Sequence, residues 1–473
     1  MSYNPTSMRA EEFIENSEAM ETVEYAKANR FNMALIDSIL EQAKLKTGLS
    51  HRDAAVLLAC ALPEQNARIE ELANSIKREF YGSRIVLFAP LYLSDYCVNG
   101  CVYCPYHYGN PGVFRKKLTQ AEIAGEVTAL QDMGHKRLAL ESGEDPVNNP
   151  IEYILESINT VYSLKHKNGA IRRVNVNIAA TTEENYKKLR DAGIGTYILF
   201  QETYNRTRYE RLHPTGPKHH YAYHTEAMDR AMKAGIEDVG LGALFGLEDC
   251  LYEFTALLMH AEHLETVFGV GPHTISAPRI RAAAGIDLAD FPNAVDDNMF
   301  AKIITCVRVA VPYTGLIVST RENRECRQRV LNLGVSQISG GSRTSVGGYD
   351  EPEPEGVNTS QFDVMDTRSL DEVVRWLLQN GHIPSFCTAC YREGRTGDRF
   401  MALCKSGQIA NCCHPNALMT LKEYLLDYAS AETQEVGGEV ISSELGGIPN
   451  EKVRRIVMDN LAGIENGSRD FRL

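Results

Sequence analysis

Arg84-Ile85-Val86-Leu87-Phe88-Ala89-Pro90-Leu91 runs, after a short polar turn, into Cys97-Val98-Asn99-Gly100-Cys101-Val102-Tyr103-Cys104. The first segment is a short apolar run of the kind that forms a buried strand. The second is a C-x3-C-x2-C loop. Three thiolates this close can hold three irons of a cubane cluster, and cluster sites usually supply four. No fourth cysteine is near, since Cys60 is far upstream and Cys250 far downstream. One metal corner is therefore left for a small molecule. The competing reading is a zinc knuckle completed by His107.

The strand-then-loop unit sets a rhythm. Apolar runs at 84–91, 137–140, 173–178, 196–200, 239–244, 274–277, 315–318 and 335–338 alternate with amphipathic segments at 119–133, 150–167, 182–192, 223–234, 251–267, 298–309 and 321–333. Several segments stop at glycine, as at Gly134, Gly193, Gly235 and Gly334. Strands alternating with helices predict βαβ units and a parallel sheet. Eight runs are the number that closes a (β/α)8 TIM barrel. A doubly wound open sheet is the alternative.

In such a barrel the chemistry sits where strands end and helices begin. The cysteine loop then lies at the rim of the first strand. Polar groups follow other strands: Glu141-Ser142-Gly143-Glu144-Asp145, Gln201-Glu202-Thr203-Tyr204-Asn205, Pro278-Arg279-Ile280-Arg281, Ser319-Thr320-Arg321-Glu322 and Ser339-Gly340-Gly341-Ser342-Arg343. One such cluster is an ordinary loop, but five on a common rim predict a polar pocket.

The chain has 473 residues, 44% hydrophobic. That is ample for a barrel with extensions. The organisation expected is an N-terminal helical extension over 1–80, the barrel over 81–345, an acidic Pro/Gly-rich linker over 346–360, and a mainly helical C-terminal domain over 361–473. The formal net charge of −13 argues against nucleic acid and anionic membrane surfaces as partners. No apolar run is long enough to span a membrane. Residues 1–28 lack the apolar core of a secretory signal, so a cytoplasmic location is expected. Twelve cysteines then read as metal-binding or catalytic rather than disulfide-bonded.

Cys387, Cys390 and Cys413 form a C-x2-C-x22-C set. A close pair with a distant third partner is a metal signal. Taken alone it reads equally as iron–sulfur or as zinc completed by Cys412, Cys404 or His414. A first iron–sulfur loop in the same chain favours iron–sulfur.

The first loop, with aromatic Tyr103 before its third cysteine, resembles the signature of radical S-adenosylmethionine (SAM) enzymes. Together with Glu202-Thr203-Tyr204-Asn205, Pro278-Arg279-Ile280-Arg281, Ser319-Thr320-Arg321-Glu322 and the C-terminal cysteines, it resembles the tyrosine lyases that mature FeFe-hydrogenases. The resemblance runs from about residue 30 to the end. The related 2-iminoacetate synthases of thiamine synthesis share the barrel patterns but lack the second cysteine set.

The resemblance implies two 4Fe–4S clusters. Cys97, Cys101 and Cys104 would hold the one that binds SAM, with Glu141, Ser142, Gly143, Glu144 and Tyr103 around the cofactor. L-tyrosine would be split to p-cresol and dehydroglycine. Among Arg279, Arg281 and Arg321, the last is the expected partner of the substrate carboxylate, supported by Ser319 or Ser342, because guanidinium pairs bidentately with carboxylate. Cys387, Cys390 and Cys413 would hold the second cluster, where dehydroglycine becomes carbon monoxide and cyanide on a labile iron carrying a free cysteine. His273 is the expected ligand of that iron, ahead of His263 and His260. A ferredoxin or flavodoxin as electron donor and a hydrogenase maturation scaffold protein complete the implied partners. Two other functions stay open: a tyrosine lyase of the 2-iminoacetate synthase type, and a non-enzymatic iron–sulfur scaffold.

Overall fold

The computed structural model describes residues 2–473. Eight parallel strands follow one another around a ring: β1 Arg84–Ser94, β2 Arg137–Ser142, β3 Arg173–Asn177, β4 Tyr197–Ile198, β5 Val239–Gly242, β6 Thr274–Ser276, β7 Gly315–Val318 and β8 Gln337–Ser339. Each pairs with its sequence neighbour, and β8 returns to β1 with Leu87 opposite Ile338. The closure excludes the open doubly wound sheet, which would keep two free edges. The strands are short and apolar because both faces are covered, by lumen side chains within and helices without. The expected helix at 119–133 forms as Gln120–Asp132, started by a capping box of Thr119 and Glu122.

Strand alternation sends Phe88, Pro90 and Tyr92, Ala139 and Glu141, and Asn177 into the upper lumen. The same alternation brings Val86, Arg137 and Arg173 to the lower end. Between the two levels the interior is tight at Gly240, where a Cβ would lie 2.7 Å from Thr274 Oγ1 and 3.1 Å from Ile198.

A ninth strand, β9 Ile383–Ser385, joins the start of β1 in parallel, with Arg84 opposite Ile383. It anchors the C-terminal region beneath the barrel. That region consists of Leu370–Gln379, Ala389–Arg392, Gly397–Lys405, Ala410–Asp427, Ala431–Gly446 and Glu451–Glu465. The N-terminal helices, including a long Pro63–Tyr81 segment with proline in its first turn, pack on the barrel helices Cys250–Phe268 and Asp297–Ala310. Glu262 ties this extension down by accepting hydrogen bonds from Tyr3 Oη (2.6 Å) and from the His51 backbone N–H (2.7 Å).

Residues 346–360, expected to be a linker, form instead a strap over the top of the barrel. The buried Glu126 carboxylate accepts the backbone N–H groups of Gly348, Tyr349 and Asp350 at 3.1, 2.8 and 3.3 Å. Tyr349 Oη donates to the Pro90 carbonyl (2.8 Å), and Tyr106 Oη to that of Thr359 (2.8 Å). The strap delivers Gln361 and Phe362 to the chamber wall. Its composition suggested flexibility, but its amides find a fixed anion.

Glu126→Ala removes the acceptor of three amides. Hydrogen bonds to a charged group are worth about 1.5–3 kcal/mol each. A loss of about 2–3 kcal/mol in urea unfolding is expected, with proteolysis between Tyr349 and Gly356 at least tenfold faster. Unchanged proteolysis would mean the strap is held by something else.

Candidate functional site

β1 ends at Ser94, and the cysteine loop is fixed by backbone bonds from its surroundings. Val98 N–H donates to the Glu144 carbonyl (2.8 Å), Gly100 N–H to that of Thr215 (3.1 Å) and Val102 N–H to that of Leu212 (3.0 Å). Asn99 crosses the loop: its Nδ2 donates to Glu144 Oε2 (2.6 Å) while its Oδ1 accepts from Lys218 N–H (2.9 Å). Gly143 donates to the Ser94 carbonyl at 2.9 Å and packs against the loop so closely that a Cβ would run into the Tyr96 carbonyl and Cys97.

Cys97, Cys101 and Cys104 line one cavity of about 170 Å³ with Tyr103, Glu141, Ser142, Gly143, Glu144, Glu202 and Lys218. Burial pushes all three thiols up, Cys104 to about 12. As thiolates they need a cation, and Lys218 is the nearest protein charge that favours Cys101 and Cys104 as anions. Lys218 is already paired with Glu202 at 2.9 Å. Glu202 sits in the left-handed region at φ 70°, a strained backbone of the kind that collects at functional sites. Tyr103 spends its hydroxyl on His213 Nε2 (2.7 Å) and offers its ring to the cavity.

A second chamber of about 110 Å³ lies directly below, sharing Tyr92, Glu141, Asn177, Phe200 and Arg321 with the first. Arg321 makes one weak bond to the Arg279 carbonyl (3.4 Å) and stacks on Phe362 (3.8 Å). It is thus a cation with no carboxylate partner among the described residues. Burial raises the Glu141 carboxyl to about 8 and raises Glu144 as well. Ser319 lines this chamber, and its Oγ accepts the Arg321 N–H at 3.3 Å.

Three expectations fail here. Arg279 and Arg281 do not face the chamber: both pair with Glu322, Arg281 at 2.5 Å, and Arg279 also reaches Asp297 at 2.8 Å. Their charges are consumed by Glu322, the residue after Arg321, which itself lines the chamber wall. Ser342 is buried with an unpartnered hydroxyl and lines neither cavity, since Gly341 at φ 58° turns the chain away after β8. Ser339 and Thr344 take the wall positions instead.

At the opposite end of the barrel Cys387, Cys390, Cys413 and His273 line a third cavity of about 80 Å³. Cys413 is held down, to about 6, by a hydrogen bond from Cys390 and by Arg84, while burial raises Cys387 to about 11. Buried His273 has an Nδ1 without a hydrogen bond, 3.4 Å from Asp238, and burial lowers the ring to about 4, leaving a neutral imidazole. His263 is occupied elsewhere by Asp229 (2.8 Å) and the Pro5 carbonyl, and His260 by Tyr204.

The sequence reading missed the arginines of this cavity. Arg84, Arg137 and Arg173 open β1, β2 and β3, and all three are buried without a carboxylate partner among the described residues. The signal was present, as three consecutive strands begin with Arg. Lys218 and Gln361 were also missed, because they come from loops distant in sequence, and so was Asn99, whose partners Glu144 and Lys218 are distant from it.

Neither cysteine set forms a closed tetrahedral group of donors among the described residues. Zn–S bonds of about 2.3 Å put sulfurs roughly 4 Å apart. Among the described residues the compact donor group within 4.8 Å is Asp297, Glu322 and Cys326, into which Arg279 already inserts. Neither cysteine triad gathers all three sulfurs within that distance. Neutral imidazole and thiolate are both iron ligands, so the residues present fit an iron–sulfur cluster at each end.

Comparison with known proteins agrees with this layout. Residues 91–253 match the radical SAM superfamily and residues 276–383 the biotin and thiamin synthesis associated domain. The 2-iminoacetate synthase of Escherichia coli K12 is 30% identical over 349 residues, covering 73% of this chain and 89% of its own. A crystal structure of HydG, a maturase of the FeFe-hydrogenase, superposes with TM-score 0.94 at 53% identity over 98% of this chain and 100% of its own. The FeFe-hydrogenase maturase HydG of Carboxydothermus hydrogenoformans follows at TM-score 0.83 and 38% identity, over 96% and 99%.

Gly143→Ala is expected to displace the Cys97 loop. Anaerobically reconstituted protein should then lose most of the EPR signal that shifts on adding SAM, while the second cluster signal persists. Equal loss of both, or of neither, would disprove the local role of Gly143.

Proposed function

The chain belongs to the HydG family of FeFe-hydrogenase maturases within the radical SAM superfamily, and from this premise we infer that it cleaves L-tyrosine to p-cresol and dehydroglycine and converts the latter to carbon monoxide and cyanide. The observation that carries the inference is one closed barrel with a three-cysteine cavity at each end.

Cys97, Cys101 and Cys104 would hold the SAM-binding cluster. Bound there, cluster and SAM supply one-electron reduction and hydrogen-atom abstraction, chemistry that belongs to the cofactor. The protein's part is placement and exclusion of water. Glu144, in the upper cavity, would take the amino group of SAM. Arg321, held in the lower chamber, would take the tyrosine carboxylate, with Ser319 fixing its backbone. Glu141 lines both spaces and would take an ammonium group. The phenol would lie among the apolar walls of Phe88, Ile198 and Phe200. The strap over the top keeps the chamber dry, which strengthens each charge interaction.

Cys387, Cys390 and Cys413 would hold the second cluster, and His273 the labile iron that carries the free cysteine. Its unpaired ring nitrogen and neutral state suit that role. The cationic arginines around it suit a carboxylate-bearing guest. Dehydroglycine would pass down the lumen. Ala277 lines the upper chamber, Ala243 lines none of the three cavities, and Gly240 and Gly242 face the lumen side chains Thr274, Ile198 and Phe200. The partners this reading implies are a ferredoxin or flavodoxin donor and a maturation scaffold protein. No described helix is long and apolar enough to cross a membrane.

A purely thiamine-type lyase leaves the lower cysteine cavity without a purpose, and a passive scaffold leaves the Arg321 chamber without one. Ser at both Cys387 and Cys390 should keep p-cresol formation and abolish carbon monoxide in an anaerobic assay with dithionite, SAM and tyrosine. Parallel loss of both products would refute two separate sites. Arg321→Gln should raise the KM for tyrosine roughly 10- to 100-fold, the weight of about 1.5–3 kcal/mol for a charged hydrogen bond.

Glu141 also gives a pH signature. Its carboxyl is mostly protonated below about pH 8 in the ligand-free chamber, and an arriving ammonium favours the carboxylate. Tyrosine binding to unreduced, SAM-loaded protein should therefore release a proton near pH 7, and none above about pH 9, where the group is already ionised. Calorimetry in two buffers of different ionisation enthalpy reads the release, and Glu141→Gln should remove it.

A further inference from the structure

The lower cavity has a second opening besides the lumen. A cleft of about 470 Å³ lies in the side of the barrel base, between the loops before β3, β4 and β5 and the C-terminal region. Its mouth is formed by exposed Gly193, Gly235 and Glu237, and its floor by Arg173 and Tyr391. Those two residues also line the cavity of Cys387, Cys390, Cys413 and His273. Cleft and cavity are therefore separated by one layer of side chains.

That layer is a held aromatic ring. The Arg173 guanidinium stacks 3.3 Å from the Tyr391 ring centroid. Tyr391 Oη is bonded to Asp238 and Arg173 and lies 3.1 Å from Thr196 Oγ1. Asp238 is the same carboxylate that faces His273. Arg172, Arg190 and Arg392 line the outer cleft. Their nearest acids, Glu423 and Asp470 for Arg172, Asp191 for Arg190 and Asp470 for Arg392, lie behind them and off the cleft wall. Glu237 and Asp238 are the acids that do line it.

We propose that this cleft, gated by Tyr391, is the port through which the second cluster site exchanges carboxylate-bearing anions with solvent. The inference rests on the two-site reading above. On that reading the lower site must take in a free amino acid and release an iron complex that carries it. The lumen is unsuited to both. It narrows at Gly240, and its upper end is occupied by SAM and substrate during turnover. Arg173 connects the two spaces as a buried cation without an acid of its own, so an anion passing the ring stays in contact with positive charge throughout. Rotation of one tyrosine side chain, with its ring bonds remade, is the only movement required.

The test uses the full chain purified anaerobically without iron, and two alkylating reagents of similar size, anionic iodoacetate and neutral iodoacetamide. Rates at Cys390 and Cys413 are read by mass spectrometry, with Cys250, on the far helix, as reference. Thr396→Trp, at the cleft wall, should slow both reagents at Cys390 and Cys413 about tenfold and leave Cys250 unchanged. Arg190→Glu combined with Arg392→Glu should lower the iodoacetate-to-iodoacetamide ratio at these two cysteines about fivefold, the size of an electrostatic steering effect. Glu237→Trp provides a second plug if Thr396→Trp unfolds, as judged by circular dichroism. Unchanged rates in both plugged variants, or an unchanged ratio in the charge-reversed one, overturn the port. None of these rates depends on turnover. Loss of carbon monoxide in the Cys387 and Cys390 variants is scored separately, so the port and the two-site reading fail independently.

Discussion

β1 is an eleven-residue strand in a barrel whose other strands have two to six, and the rest of the molecule hangs on it. Its middle closes the barrel against β8, its upper half pairs with β2, and its first three residues pair with β9. A strand rises about 3.3 Å per residue, so eleven residues cross the whole barrel height. One covalent segment thereby sets the distance between the two cysteine sites. Its top releases the chain into the Cys97 loop, and its bottom carries Arg84 and the strand that leads to Cys387. Barrel closure fixes the register of its eight strands at once, because a one-residue slip would exchange lumen and outer faces.

The two ends then differ in charge. The upper cavity is lined by Glu141, Glu144 and Glu202 with Lys218 and Arg321 opposing them. The lower one is lined by Arg84, Arg137 and Arg173 and no carboxylate. Burial makes an unpaired charge expensive, so neither set would be retained for stability. The upper set suits groups that are cationic at one end, such as an amino acid ammonium or a sulfonium. The lower set suits anions, including the net charge of an iron–sulfur cluster with thiolate ligands. Separation of opposite fields along one barrel gives a zwitterionic fragment a direction in which to travel after its amine is spent.

The order of strands and the rim positions were legible because period-two alternation and glycine stops act locally. All eight apolar runs became barrel strands, and the turn after β7 brought Ser319 and Arg321 to the chamber wall as the rim reading expected. What the sequence hid was partnership over long range. Nothing in Arg279 or Arg281 announces that Glu322, more than forty residues on, will claim both. The stretch 346–360 has the composition of a linker, and only the position of Glu126 makes it a strap. Ser342 was lost to a backbone turn at Gly341, a conformation that side-chain chemistry does not foretell.

Glu141 and Arg321 carry the deepest consequence of that arrangement. They share a chamber, yet form no ion pair within 4.0 Å, unlike Arg279 with Glu322 a few residues away. Burial shifts both groups toward neutrality, Glu141 upward and Arg321 downward. A direct pair would relieve this strain and fill the space between them. Keeping them apart leaves two incompletely satisfied groups, which, on the proposed reading, a guest with an ammonium and a carboxylate on one carbon would bridge. The cost is borne by the surrounding core, and it is recovered only when an amino acid binds. On the proposed reading, selectivity for an α-amino acid would be built from what the two side chains do not do to each other, and the aromatic walls would choose among amino acids afterwards.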